Sequence, residues 1–153
     1  MSPEAVRPLA AGELAQAAAI HALCFDEPWD AATLAQLLEA PGTFACAAGS
    51  PLSGFVLARI AAGEAEILTI AVVPAARRQR LGHLLMTSAA ATALAGGATA
   101  LFLEVAEDNR PALALYRRLG FRQVGTRPAY YARPQGRIAA HILRLDLAGG
   151  PLS

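Results

Sequence analysis

Residues 64–106 leave little freedom of fold. "EAEILTIAVVP" is a β-branched run stopped by Pro74. From Leu81 the sequence "LGHLLMTSAAATALA" is apolar and rich in alanine until Gly96 and Gly97 close it, and "ALFLEVA" then opens a buried run. Strand, loop, helix and strand are the expected elements, with the helix over 81–95. The loop "AARRQR" places Arg77, Arg78 and Arg80 at the helix start. Cations there repel the positive end of the helix dipole, whereas the unpaired N–H groups of a first turn attract an anion. The loop is therefore expected to hold a phosphate; a solvated basic loop is the plain alternative. A P-loop is excluded, because the chain has no G-x-x-x-x-G-K and no lysine, and one glycine where three are wanted argues against a dinucleotide fingerprint.

The remaining sequence supplies further strands and helices without a linker or a repeat. A strand is expected near Glu4–Pro8, a helix over 12–24, and a second helix to Glu39 with Asp30 as its N-cap. "TFACAAG" and "LSGFVLARIAAG" read as strands, Asn109 caps a helix with Pro111 in its first turn, and "FRQVGTRP" and "RIAAHILRLDL" read as the last two strands. The expected class is α/β (α+β), a mixed sheet with helices on its faces. A chain of 153 residues makes one domain, expected over 1–148, with 149–153 as a tail. No apolar run approaches the roughly eighteen residues of a membrane span. The first residues lack the pattern of a signal peptide, so Cys24 and Cys46 are expected as reduced thiols in the cytoplasm. A net charge of +1 argues against a general nucleic-acid surface.

Several side chains carry possible chemistry. In "ALFLEVA", Phe102 and Glu104 alternate with Leu101, Leu103 and Val105, which puts a carboxylate on one face of an apolar strand. Desolvation there is expected to raise its pKa toward that of a general base. An exposed glutamate paired with a nearby arginine is the alternative. Glu66 is the fallback carboxylate. Tyr116 lies two helical turns after Asn109, so both can face one ligand, and its phenol can serve as an acid. Cys24 and Cys46 have no histidine and acid at recognisable spacing and read as small core residues. His21 and Cys24 share a helix face but lack the further ligands of a zinc site, so no metal is expected.

"IAVVPAARRQRLGHLL" followed by "LFLEVAEDNRPALALYRRLGF" resembles the acetyl-CoA core of the GCN5-related N-acetyltransferase (GNAT) superfamily. Its phosphate loop is matched at Arg77 and Gly82, with Arg80 standing where the family has a glycine. The second half of the pattern is matched at Asn109, Ala112, Leu115, Tyr116, Leu119, Gly120 and Phe121. "CFDEPWDAATL", "FLEV" and "RPAYYARPQGR" extend the likeness to the RimI-type branch, which acetylates the N-terminal alanine of a ribosomal protein. The resemblance implies a GNAT fold, with a mostly antiparallel sheet of six to seven strands and about four helices.

It also implies acetyl-CoA as co-substrate and direct transfer to an α-amino group, most readily a protein N-terminus. A small-molecule amine acetyltransferase and a CoA-binding module are the alternatives, and a monomer or weak dimer is expected. Cofactor-binding residues are then Ile70, Ala71 and Val72, whose backbone meets the pantetheine and the acetyl oxygen. The loop adds Arg77, Arg78, Gln79, Arg80, Leu81, Gly82 and His83, and Asn109 lies on the pantetheine arm. Glu104 and Tyr116 are the catalytic base and acid; Trp29, Glu66, Tyr130 and Tyr131 face the acceptor, the tyrosine pair from a loop between the last two strands. Arg80 is expected at negative φ, its guanidinium directed to the 3′-phosphate of CoA.

Overall fold

The computed structural model describes residues 5–147, with Arg78 and Gln79 described through their backbone alone. Residue 4, the boundary at 148 and the tail fall outside that range. Seven strands and four helices follow in the order β1 (Arg7–Pro8), α1 (Leu14–Cys24), α2 (Ala31–Glu39), β2 (Thr43–Ala48), β3 (Gly54–Ala61), β4 (Glu64–Val72), α3 (Leu81–Ala95), β5 (Ala100–Ala106), α4 (Arg110–Arg118), β6 (Arg122–Arg133) and β7 (Gly136–Asp146). They form one sheet of order β1-β2-β3-β4-β5-β7-β6. Only β4 and β5 run parallel, as a strand–helix–strand crossover requires.

Each face of the sheet has its own core. Alternation along β3 sends Val56 toward α3 and α4, where it meets Leu81, Leu85, Met86, Leu101 and Leu103. Phe55 and Leu57 point the other way, onto Ala17 and Ile20 of α1 and Leu34 of α2. Burying one such side chain contributes about 1.5–3 kcal/mol, which is why β3 is apolar on both faces. Helix ends follow local chemistry. Asp30 accepts from Thr33 N at 2.8 Å and Asn109 from Ala112 N at 3.3 Å, so both expected caps are made. At the end of α4, Gly120 takes φ +102° while Phe121 N donates to the Tyr116 carbonyl at 2.9 Å.

A buried histidine joins α1 to the sheet. His21 is 3% exposed; its Nδ1 accepts from Trp29 N at 3.0 Å, so Nε2 carries the proton and donates to Thr69 Oγ1 at 3.0 Å. Its ring stacks between Phe25 (centroids 4.3 Å apart) and Trp29 (5.1 Å). Sequence reading considered His21 only as a weak metal ligand, because nothing in the local spacing reveals a partner 48 residues away.

Burial lowers the His21 pKa below its ordinary 6.5. A folded pKa below the unfolded one means that the neutral ring stabilises the fold above pH 6.5, and that this contribution is lost as pH falls from there through the folded value. Protonation would also set a second N–H against Trp29 N. Urea denaturation at pH 7 and pH 5.5 should therefore show a larger drop in stability for wild type than for His21→Gln; equal drops would remove His21 from the acid sensitivity of the protein.

Candidate active site

The sheet opens along one seam. Pairing of β4 with β5 covers only Glu64–Ala100, Ala65–Leu101 and Glu66–Phe102, although β4 runs on to Val72 and β5 to Ala106. Two features part the strands. Leu68 has no opposite residue in β3, a bulge that bends β4, and β5 is held along its whole length by β7. On its β5 side the backbone of 67–72 thus faces a gap. Ile70, Ala71 and Val72 belong to this unpaired stretch, and the Val72 carbonyl is taken by Arg77 and Cys24.

Above the gap stands the start of α3. The N–H groups of Leu81, Gly82 and His83 precede the first intrahelical bond, made by Leu84 N to the Arg80 carbonyl at 3.1 Å, and none of the described side chains caps them. Unpaired N–H groups at a helix start suit an anion. His83 adds an imidazole whose Nδ1 is buried without a partner. Leu81 contributes only its backbone, for its side chain is fully buried. Gly82 has a packing reason as well: a Cβ there would come 3.2 Å from Leu115 Cδ2 on α4.

Two arginines differ from expectation. Arg80 sits at φ 59°, ψ 21°, in the left-handed region and not at the negative φ expected of it. Arg77 turns back onto the protein, with Nε donating to the Val72 carbonyl at 3.2 Å and Nη2 to Cys24 Sγ at 3.2 Å. The same carbonyl accepts from the Cys24 thiol at 3.4 Å, so Cys24 is tied into the loop, whereas Cys46 is buried in the core.

Two residues past the last β4–β5 pair on β5 stands Glu104. Glu104 lies at the open edge, its side chain 32% exposed, and accepts two bonds from Arg127, Nε at 3.1 Å and Nη2 at 2.7 Å. The desolvated carboxylate expected from the apolar strand is not what forms. α1 and α2 cover β2–β4, which leaves this face of β5 open, and Arg127 reaches Glu104 across β7 beside the small Ala140. The pair raises the Arg127 pKa through the Glu104 hydrogen bond and charge. Tyr116 is 6% exposed, packs edge-on to Phe121 at 5.7 Å, and has its pKa pushed up to about 12, first by burial and then by Tyr131. Burial also raises the Tyr131 pKa, with Tyr130 and Glu104 adding to it.

Tyr130 and Tyr131 belong to β6 and not to a loop; their rings meet edge-on at 5.0 Å. Trp29 packs against the core between the sheet and α1 and α2, stacked on His21. Glu66 stands apart from this group: it pairs with Arg59 at 2.9 Å and lines an open concavity of about 340 Å³ with Arg59, Ala61, Glu64, Ala65 and Phe102, where β4 and β5 are still paired. Among the described residues no three His, Cys, Asp or Glu side chains lie together to hold a metal, and no helix is long and apolar enough to cross a membrane.

Residues 14–121 match the model of the acetyltransferase (GNAT) family. The chain belongs to that family. It is 36% identical over 132 residues to N-alpha-acetyltransferase RimI of Mycobacterium tuberculosis, covering 82% of this chain and 80% of that protein. It is 34% identical over 97 residues to the ribosomal protein bS18-alanine N-acetyltransferase of Escherichia coli K12, covering 63% and 66%. The crystal structure of the E. coli S18-alanine enzyme superimposes with a TM-score of 0.87 at 28% identity over 98% of this chain and 99% of that one. The chain spans about a third of the length of an uncharacterized relative from Mycobacterium leprae. The architecture is therefore that of a GNAT domain, with the expected mixed sheet and four helices.

A left-handed arginine carries a backbone cost that glycine would not. Arg80→Gly is expected to stabilise the fold by about 1 kcal/mol, seen as a higher urea midpoint at unchanged slope. A lower midpoint would show that Arg80 has contacts worth more than its strain.

Proposed function

We propose that the chain transfers an acetyl group from acetyl-CoA to the α-amino group of a protein N-terminus, with alanine first among the residues accepted. The observation that carries this reading is the parting of parallel β4 and β5 past Glu66 and Phe102, with Glu104 on β5 just beyond the last pair and the start of α3 following β4. The similarity to enzymes named for N-terminal alanine acetylation supports the acceptor class. Acetyl-CoA would supply the activated acetyl thioester. The N–H groups of Leu81, Gly82 and His83 hold its pyrophosphate, with Arg78 and Gln79 in the same loop, and Arg80 and Arg77 bring positive charge to the loop. Backbone of Ile70, Ala71 and Val72 follows the pantetheine, and an N–H on this strand stabilises developing negative charge on the acetyl oxygen.

An α-ammonium has a pKa near 8 and must lose a proton to attack. Glu104 is the carboxylate placed to take it, directly or through one water, and the arriving ammonium competes with Arg127 for its oxygens. Tyr116, with its pKa pushed to about 12, keeps its proton through the neutral range and donates a hydrogen bond to the leaving sulfur. Trp29, Tyr130 and Tyr131 frame the acceptor chain. Asn109 is engaged as the cap of α4, and any contact with the pantetheine arm uses its free amide.

Mass spectrometry of short peptides incubated with the protein and acetyl-CoA tests the reading: peptides beginning with alanine should gain one acetyl at the α-amine, ahead of polyamines and aminoglycosides. Acetylation of polyamines alone would replace this reading with a small-molecule enzyme. Glu104→Gln should lower kcat by about 10²–10⁴-fold with acetyl-CoA affinity nearly unchanged, and the loss should shrink as pH rises past the amine pKa. Full activity at pH 7 would transfer the role to Glu66 or to solvent.

Direct transfer is the route this reading favours: among the described residues the Cys24 thiol meets Arg77 and the Val72 carbonyl and the Cys46 thiol meets Ser88, neither beside an activating base. A folded Cys24→Ala, Cys46→Ala double variant should retain most of its turnover; loss of turnover would indicate a covalent route.

A further inference from the structure

The β6–β7 hairpin is broken beside the mouth of the seam. Arg127 is opposite Ala140 and Tyr131 is opposite Ile138, so Pro128, Ala129 and Tyr130 stand against Ala139 alone. Ala139 does not serve the hairpin there. Its N–H donates to Glu107 Oε2 and its carbonyl accepts from Glu107 N, each at 3.0 Å. Pro128 has no N–H, and Ala129 lies at φ 51°, in the left-handed region that a residue with a Cβ disfavours. A bulge this large needs partners from elsewhere.

Arg137 supplies them. Its Nε donates to the Ala129 carbonyl at 2.9 Å and its Nη2 to the Tyr130 carbonyl at 2.8 Å, a planar fork across two successive carbonyls that a point charge could not reproduce. Beyond the bulge, Arg127 lies over the Tyr130 ring at 4.9 Å while it holds Glu104. Arg133 lies over Tyr131 at 5.7 Å while bonded to Asp108 at 2.9 and 3.0 Å. The bulge thus decides where both tyrosines stand relative to Glu104.

We propose that Arg137 is a positioning residue for the acceptor: by clamping the Ala129 and Tyr130 carbonyls it fixes the bulge that sets Tyr130 and Tyr131 over the mouth of the seam. It touches neither the acetyl donor nor the reacting amine. The proposal rests on the reading of this mouth as the acceptor entrance of an N-terminal acetyltransferase.

The test uses the full chain as wild type, Arg137→Ala and Arg137→Lys, with a peptide beginning with alanine. Three quantities are measured: peptide KM and kcat, acetyl-CoA affinity by calorimetry, and amide hydrogen exchange along β6 and β7. Arg137→Ala should raise the peptide KM by about tenfold, the scale of losing hydrogen bonds from a charged donor, with the acetyl-CoA Kd unchanged. Arg137→Lys can bond one carbonyl and should fall between. Exchange should quicken at 129–132 and stay unchanged in β5. An unchanged peptide KM overturns the proposal, as does a parallel fall in acetyl-CoA affinity and in protection throughout the sheet, which would make Arg137 a general staple of the fold. If wild type modifies no N-terminal peptide, the acceptor reading fails on that result alone; the clamp is still decided by exchange, since unchanged protection at 129–132 in Arg137→Ala overturns it.

Discussion

The parting of β4 from β5 is the constraint on which the rest of the molecule depends. Three residue pairs join the strands at one end, and beyond Glu66 and Phe102 each follows its other neighbour. β5 stays with β7 over its full length, and β4 stays with β3 but is bent at Leu68. Main-chain groups that a closed sheet would have used on itself are left facing a slot. α3 follows β4 through the arginine loop and α4 follows β5; because the two strands are parallel, both helices start at the end where the strands have parted. One break in pairing therefore leaves the free backbone edge of β4 and two helix starts at one end of the sheet.

The mouth of the slot is held by arginines, each already committed to a partner. Arg127 forks onto Glu104, Arg133 onto Asp108, and Arg137 onto two backbone carbonyls, while Arg127 and Arg133 also cover the rings of Tyr130 and Tyr131. Exposed ion pairs of this kind add little stability, on the order of 0–1 kcal/mol each. Their value here is geometric, since a guanidinium fixes the orientation as well as the distance of what it holds.

The elements were legible in the sequence because each depends on its own residues. The 81–95 helix between Arg80 and Gly96–Gly97, the Asp30 and Asn109 caps, the seven-residue strand "ALFLEVA" and the stop at Pro74 all formed as read. The pattern through Asn109, Tyr116 and Phe121 also gave the family that residues 14–121 match. Expectations failed where a residue's state depends on distant chain. Glu104 was read as desolvated from its apolar neighbours, yet which face of β5 a helix covers is not written in those neighbours. Arg80 was read at negative φ from the usual preference of side chains, yet the 3-10 turn before it delivers the chain to α3 through a left-handed residue. The tyrosine pair is expected in a loop after a strand that ends at Pro128, and β6 instead continues past Pro128 and Ala129 as a bulge.

By itself, then, the sequence determined the order of strands and helices, the arginine-fronted start of α3 and the family, since these follow from side-chain period, caps and spacing over a few turns. Only the tertiary structure decided the pairs that act across the sheet: Arg127 with Glu104, 23 residues apart, His21 with Thr69, 48 apart, and Arg137 with the bulge beside the mouth. The physical reason is sheet order. β7 is inserted between β5 and β6, which brings Arg127 within reach of Glu104, and that insertion is fixed by long-range strand pairing that no local propensity encodes.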